Sequence, residues 1–283
     1  MPYTFRYKDD GLVLNADSAV LPFVDITMVA GLDQAPVRET SRVREGQDGG
    51  FMDAEFEDMR TVVLDGIVYA TPDSIQQYLQ QLKANWAPGR LVYPFYFDPP
   101  GVEQRVLFGK SLGMRYSWEQ ALRTGRTPAQ FTLKCEDPTI YGSVIGGSGG
   151  MAIEATGRAY DKAFDYGYGG TVGAAGGVTV NNSGDKAVPA TIRVTNVTDP
   201  VVLHDQTGRA LRFTITLGDG DFLDMDLRNR SVMLNGTASR RNALLGTSRW
   251  FMLNPGTNNI RFSGTPAGTG TPTITVSARN GYR

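Results

Sequence analysis

The side chains that carry most enzyme chemistry are nearly missing from this sequence. It has one cysteine, Cys135, and one histidine, His204, among 283 residues. A single cysteine excludes an internal disulfide framework, and one histidine leaves little from which to build a metal site. No apolar run approaches the ~18 residues of a membrane helix, so no membrane insertion is expected. The opening Met1-Pro-Tyr-Thr-Phe-Arg-Tyr-Lys-Asp-Asp-Gly11 lacks the basic-then-apolar pattern of a secretory leader. Neither sign of charge is in excess: 28 Lys and Arg face 29 Asp and Glu, a formal net charge of -1. That balance gives no case for nucleic-acid binding or for anionic lipid.

Glycine is what the chain has in plenty, 34 residues, where about 7% is usual. Together with many short β-branched and aromatic runs, this reads as a mainly β, turn-rich protein of one large or two ordinary domains. Residues 142–177 hold 12 of the glycines. Their densest part, Gly142–Gly150, has little side chain to bury and reads as a linker. The expected division is 1–141, a linker at 142–150, and 151–283. Charge divides with it: residues 1–141 hold 14 bases and 19 acids, residues 142–283 hold 14 and 10.

One segment has helical period. In Thr71–Trp86, residues Ile75, Tyr78, Leu79, Leu82 and Trp86 share a face, Thr71 and Pro72 suit the start, and Ala87-Pro88-Gly89 stops it. It reads as a packing helix on a sheet. Strands are expected at 61–70, 90–97, 104–108, 114–118 and 129–134, with Arg123–Pro128 as a turn. Beyond residue 190 the alternation is cleaner. Ile192 and Val194, Leu211, Phe213, Ile215 and Leu217, and Leu223, Met225 and Leu227 point inward, which argues for a β-sandwich or jelly roll.

Several motifs invite chemistry and fail on context. Gly146-Gly-Ser148-Gly-Gly150 matches a nucleophile elbow but has no following helix. Gly109-Lys110-Ser111 lacks the earlier glycine of a phosphate loop, because Gln104 stands there. Asp219, Asp221, Asp224 and Asp226 form the densest acidic cluster. They miss the calcium-loop spacing and read as a turn and an outer strand face. His204 reads as a turn residue. Trp250 and Met252, on one face of an expected strand Ser248–Leu253, read as core; the alternative makes Trp250 part of a carbohydrate platform. No catalytic residue, cofactor site or metal site emerges, and the chain is not expected to be an enzyme.

Three stretches, Asp221-Phe-Leu-Asp-Met-Asp226, Arg230-Ser-Val-Met-Leu-Asn-Gly236 and Trp250-Phe-Met-Leu-Asn-Pro-Gly-Thr-Asn-Asn-Ile-Arg-Phe262, resemble the C-terminal domain of siphophage distal tail proteins. Glu39–Phe51 is similar to the glycine-rich segment that follows the first strands of that family. The resemblance implies a β-rich N-terminal belt domain with one packing helix and a galectin-like C-terminal β-sandwich. It implies a structural virion protein, made in the host cytoplasm, that forms a hexameric ring at the distal end of the tail. Its implied partners are other copies of itself, the tail tube protein, and the tail-associated tip, baseplate and receptor-binding proteins. The His-x-Asn-x-Arg and Trp-Glu-Arg patterns of sugar-binding galectins are absent. A carbohydrate-binding tail or surface module is the alternative. For the ring contact, the local candidate is Arg42 to Phe51, with Arg42, Arg44, Asp48 and Phe51 on a projecting hairpin or loop.

Overall fold

The computed structural model describes residues 4–15, 20–38, 41–48, 50–52, 56–151 and 176–283. The chain divides into two compact units, Met1–Ser143 with Tyr282–Arg283, and Val144–Gly281. The first contains β1 (Phe5–Tyr7), β2 (Val13–Leu14), β3 (Phe23–Ala30), β4 (Val37–Arg38), β5 (Ser41–Val43), β6 (Gly50–Met52), β7 (Phe56–Glu57) and β8 (Arg60–Tyr69). There follow α1 (Ile75–Asn85), β9 (Tyr93–Phe97), β10 (Arg105–Tyr116), α2 (Trp118–Thr124), β11 (Arg126–Cys135) and the start of β12 (Ile140–Gly150).

Strand β10 serves two sheets. Its first half, Arg105 to Gly109, pairs with β9, which pairs with β1 and so with β2. Its second half pairs with β11, then β8, then β3 at the edge. The two expected strands at 104–108 and 114–118 are thus one, bent by a bulge between Ser111 and Gly113. Alternate residues of β8 and β11 are buried, among them Val62, Leu64, Val68, Phe131 and Leu133. Helix α1 lays its stripe on this face: Ile75, Tyr78, Leu79 and Leu82 are buried, as is Trp86 just beyond its end. The chain enters α1 through a turn in which the Thr71 carbonyl accepts from the amides of Ser74 and Ile75.

The second helix is absent from the sequence expectation, which puts a strand end and a turn there. Its markers are short: Ser117 before it, Glu119 in the first turn, and Gly125 at φ +66 after it. Seven residues, fewer than two full turns, with Ala121 buried among the described side chains, give too little periodicity to register.

Cys135 ends β11 in full burial, and burial pushes its thiol up to about 12. A thiol held protonated is a poor nucleophile. Ellman's reagent is therefore expected to leave the folded chain unmodified at pH 8 and to titrate one thiol per chain in denaturant. Fast reaction in native buffer would contradict this burial.

The stretch read as a linker is a strand. Residues 144–150 of β12 belong to the second unit and lie beside β21 (Thr273–Tyr282), with Ser148 Oγ 3.0 Å from Thr275 Oγ1. Close approach explains the glycines. A Cβ on Gly146 would sit 2.4 Å from the Val276 carbonyl oxygen, and one on Gly149 would sit 2.0 Å from that of Gly177. The rest of the glycine-rich region, residues 152–175, lies outside the described residues.

The second unit adds β13 (Gly177–Asn182), β14 (Thr191–Thr195), β15 (Val197–His204), β16 (Arg209–Arg212), β17 (Phe222–Asp226), β18 (Ser231–Leu234), β19 (Ala238–Ser239) and β20 (Gly256–Pro266). One sheet runs β19-β18-β17-β14-β21-β12, the other β13-β20-β15-β16. Each buries alternate residues: Ile192, Val194, Leu223, Met225, Ile274 and Val276 from the first, Val178, Val180, Val202, Leu211, Ile260 and Phe262 from the second. Two sheets each with one apolar face close on a common core. The fold is mainly β, as expected.

Two further expectations in this unit fail. Ser248–Leu253 is not a strand but an irregular segment whose Leu253 makes an isolated bridge to Val188. Its faces are also inverted: Phe251 and Leu253 are core, Trp250 is half-buried and Met252 is exposed. His204 is no turn residue. It closes β15 in full burial, stacked on Phe251 at 5.1 Å. Its Nε2 donates to Asn258 Oδ1 at 2.9 Å, and Nδ1 pairs with Thr207 Oγ1 at 2.8 Å. Asn258 is itself fixed, donating to the Asn254 and Gly256 carbonyls. The histidine thus satisfies a core network rather than facing a ligand.

Candidate functional site

The four candidate residues of the first unit lie on one hairpin. Strands β4 and β7 pair at its base, Val37 with Glu57 and Arg38 with Phe56. Strands β5 and β6 pair farther out, Ser41 with Met52, Arg42 with Phe51 and Val43 with Gly50. Among the described residues these four strands pair with no other strand. Arg42 and Phe51 are direct cross-strand neighbours, though their side chains lie outside the described residues. Arg44 and Asp48 sit at the exposed tip, where Gly46 at φ +74 makes the turn.

Sequence reasoning missed the base of this hairpin. Val37, Phe56 and Met59 are exposed there, Phe56 by 57%. A two-stranded ribbon is marginal in water, and its apolar side chains gain from being covered. The signal was present in Phe56-Glu57-Asp58-Met59, where two apolar residues flank two acids and fit neither a helical period nor a strand alternation.

Phe5, Val29, Leu32, Phe97 and Pro99, with Asp33, line a mostly apolar cleft of about 700 Å³. Arg60 sits fully buried nearby. Its Nε donates to the Pro138 carbonyl and its Nη1 to that of Gly31, both at 3.0 Å, so it ties two loops together. Burial lowers its pKa, opposed by Cys135, Glu57 and Asp33. An arginine so held is structural.

In the second unit the acidic cluster is spent on scaffolding. Asp224 accepts both Nε and Nη2 of Arg193 at 2.7 and 2.8 Å. Asp226 accepts the amides of Arg228 and Asn229 in the next turn. Asp221 accepts from the Asn235 side chain. Asp219 receives the Thr269 hydroxyl and the amides of Thr269 and Gly270, and these bonds, the hydroxyl first, hold its carboxyl below the usual range. A depressed pKa means this anchor is intact above 3.8, the ordinary value, and fails as pH falls through the folded-state value. The Thr269 and Gly270 amide resonances are expected to shift together in acid below that point. In Asp219→Ala they are expected to sit at their acid positions at neutral pH.

Trp250, the candidate glycan contact, is held by its backbone, whose carbonyl accepts from Arg209 Nη1 at 3.2 Å.

Comparison with known proteins agrees with this architecture. Residues 183–279 match the family model of the siphovirus-type tail component, C-terminal domain. No curated protein matches the chain by sequence. Among solved structures, the Dit protein of phage SPP1, described as a paradigm of the hub adsorption apparatus in phages that infect Gram-positive bacteria, superposes with a TM-score of 0.64 at 18% identity over 98% of both chains. A chain of the phage P2 baseplate, activated with Ca, gives 0.54 at 9% identity over 98% of both chains. The Sr form gives 0.52 at 9%, over 98% of this chain and 97% of that one. At such identities the likeness is one of fold. In the sequence of residues 183–279, and in the fold of nearly its whole length, the chain resembles the siphophage distal tail hub proteins.

Proposed function

We propose that this chain is a structural component of a siphovirus tail tip, a distal tail hub that joins the tail tube to the baseplate. The observation that carries this reading is the coincidence of two likenesses: the family match in the second unit and the shared fold across both. In this reading the chain does no covalent chemistry. The first unit, a belt domain, closes a ring of copies, six by the family's pattern, and the second, a galectin-like sandwich, holds tip or receptor-binding components. The hairpin from Val37 to Glu57 serves the ring contact, with Arg42, Arg44, Asp48 and Phe51 toward its end and Val37 and Phe56 at its base. Ring closure uses two different surfaces of each copy, so the hairpin needs a complementary face on the next copy rather than itself.

Electron microscopy of purified chain tests the ring, and labelling of the chain in intact virions tests its place at the distal tail. Particles that carry the chain elsewhere, or not at all, would defeat the reading. The carbohydrate module is second, favoured only by the half-exposure of Trp250. Arg209 bonds that residue's carbonyl and Arg249 precedes it, a setting that suits anions better than neutral sugars.

A further inference from the structure

From residue 227 to 283 the chain holds eight arginines and no aspartate, glutamate or lysine. The structure gathers several of them. Strand β16 pairs on one side with β15, and its other side is covered by residues 243–250. Thr214 N donates to the Ala243 carbonyl, Leu245 N to that of Arg212, and Arg249 N to that of Ala210. This ladder sets Arg209 against Trp250, whose carbonyl takes its Nη1, with Arg249 next to it in the chain, and Arg212 against Leu245 and Ser248. Arg240 and Arg241 lead into the same segment, and Arg241 Nη1 donates to the Arg230 carbonyl at 2.9 Å, which brings in a sixth.

None of these six makes an ion pair among the described residues. Five are exposed and Arg240 is half-buried. Arg209, Arg240, Arg241 and Arg249 each give a donor to a backbone carbonyl, which steadies the guanidinium and leaves its other donors outward. Leu245 and Met252 are exposed along the same segment.

We infer that this face docks an acidic protein segment with apolar residues set among its carboxylates. Arginine forks match carboxylates in pairs, and arginine, tryptophan and methionine without lysine is the composition of protein interfaces. A phosphate polymer would use the charge but leave Leu245, Trp250 and Met252 without partners. The inference deepens the tail-hub reading, and rests on it for the source of such a segment.

The test titrates full-length chain with a short synthetic peptide of glutamate pairs separated by leucine and phenylalanine. Saturable binding is expected, weakened about tenfold by Arg240→Glu with Arg241→Glu, and likewise by Arg212→Glu with Arg249→Glu, at unchanged melting temperature. Lysine at the same positions is expected to restore binding only in part, because the charge returns without the fork. If a reversed pair melts early, Arg→Gln at those positions gives the same comparison without added repulsion. Tighter binding of inorganic polyphosphate than of the peptide would overturn the inference in favour of a phosphate polymer. Self-association lost in the same variants, with no peptide binding, would overturn it in favour of a second copy. Absence of saturable binding, or binding indifferent to these arginines, would overturn it outright. Virions lacking the chain would instead defeat the hub reading and leave the titration standing.

Discussion

Removal of the Ser41–Met52 hairpin, with Arg38 and Phe56 rejoined through a short glycine turn, is expected to leave the chain folded and monomeric. The strands removed pair only with each other among the described residues, so no other sheet of the first unit loses a member. Among the described side chains, the hydrophobic core from Phe5 through Ile140 includes none from the hairpin. Stability should therefore stay within about 0.5 kcal/mol of the parent, as for other surface changes. Assembly should not survive, because a ring closed by heterologous contacts repeats the same loss at every junction. A milder variant separates the parts of the contact. Phe56→Ala at the base should weaken each junction by about 2 kcal/mol, roughly thirtyfold, if that ring is covered in the assembly. Arg44→Glu at the exposed tip should cost less than 1 kcal/mol, since solvated charges contribute little. Mass photometry with thermal melts reads both quantities. A hairpin-less chain that still assembles would move the ring contact to another surface.

The success of the sequence reading followed the presence of polar residues to break symmetry. In Phe222-Leu-Asp-Met-Asp-Leu227 the aspartates mark the outer face, and Leu223, Met225 and Leu227 are buried as the alternation requires. In α1 the glutamines do the same for the outer face of a helix. In Trp250-Phe-Met-Leu253 all four residues are apolar, so a period of two allows either face inward, and the larger tryptophan is a misleading guide. Composition misled at Gly142–Gly150, where glycine serves close backbone approach inside a sheet rather than freedom between domains. At His204 the local part of the network, Thr207 three residues on, reads as a turn, while Asn258, which holds the other ring nitrogen in the core, lies 54 residues away. The pairing of Ser41–Val43 with Gly50–Met52 was legible as a hairpin in the glycines and mixed charges between them. Its apolar base was not, because exposure of Phe56 depends on what fails to pack against it. The arginine face needed both levels. The absence of acids after residue 226 is visible in the sequence, but only the ladder between β16 and residues 243–250 places those arginines together.

Trp86→Ala is expected to destabilise the first unit by about 3–5 kcal/mol. The residue stands just past the end of α1 and is 1% exposed. Its ring meets Tyr7 at 4.9 Å, Phe131 at 5.0 Å and Phe95 at 6.3 Å. Those three lie on β1, β11 and β9, so one side chain packs against strands of both sheets as well as ending the helix. The polar framework around it stays in place on mutation: Ser111 Oγ donates to the Trp86 carbonyl at 2.7 Å, and Ser111 N donates to Tyr7 Oη at 3.1 Å. The loss is therefore one of packing, and no refolded alternative can fill a gap between two sheets. Trp86→Phe makes the sharper comparison. The indole N–H is buried with no acceptor, so phenylalanine removes an unsatisfied donor while keeping a ring between the sheets. Its cost should be near 1 kcal/mol, well below that of alanine. Melting of the first unit should fall by about 10 °C in the alanine variant and by a few degrees in the phenylalanine one. Equal losses in the two would mean that the indole N–H is satisfied after all, and that its bond, rather than the packing of the ring, holds the two sheets to α1.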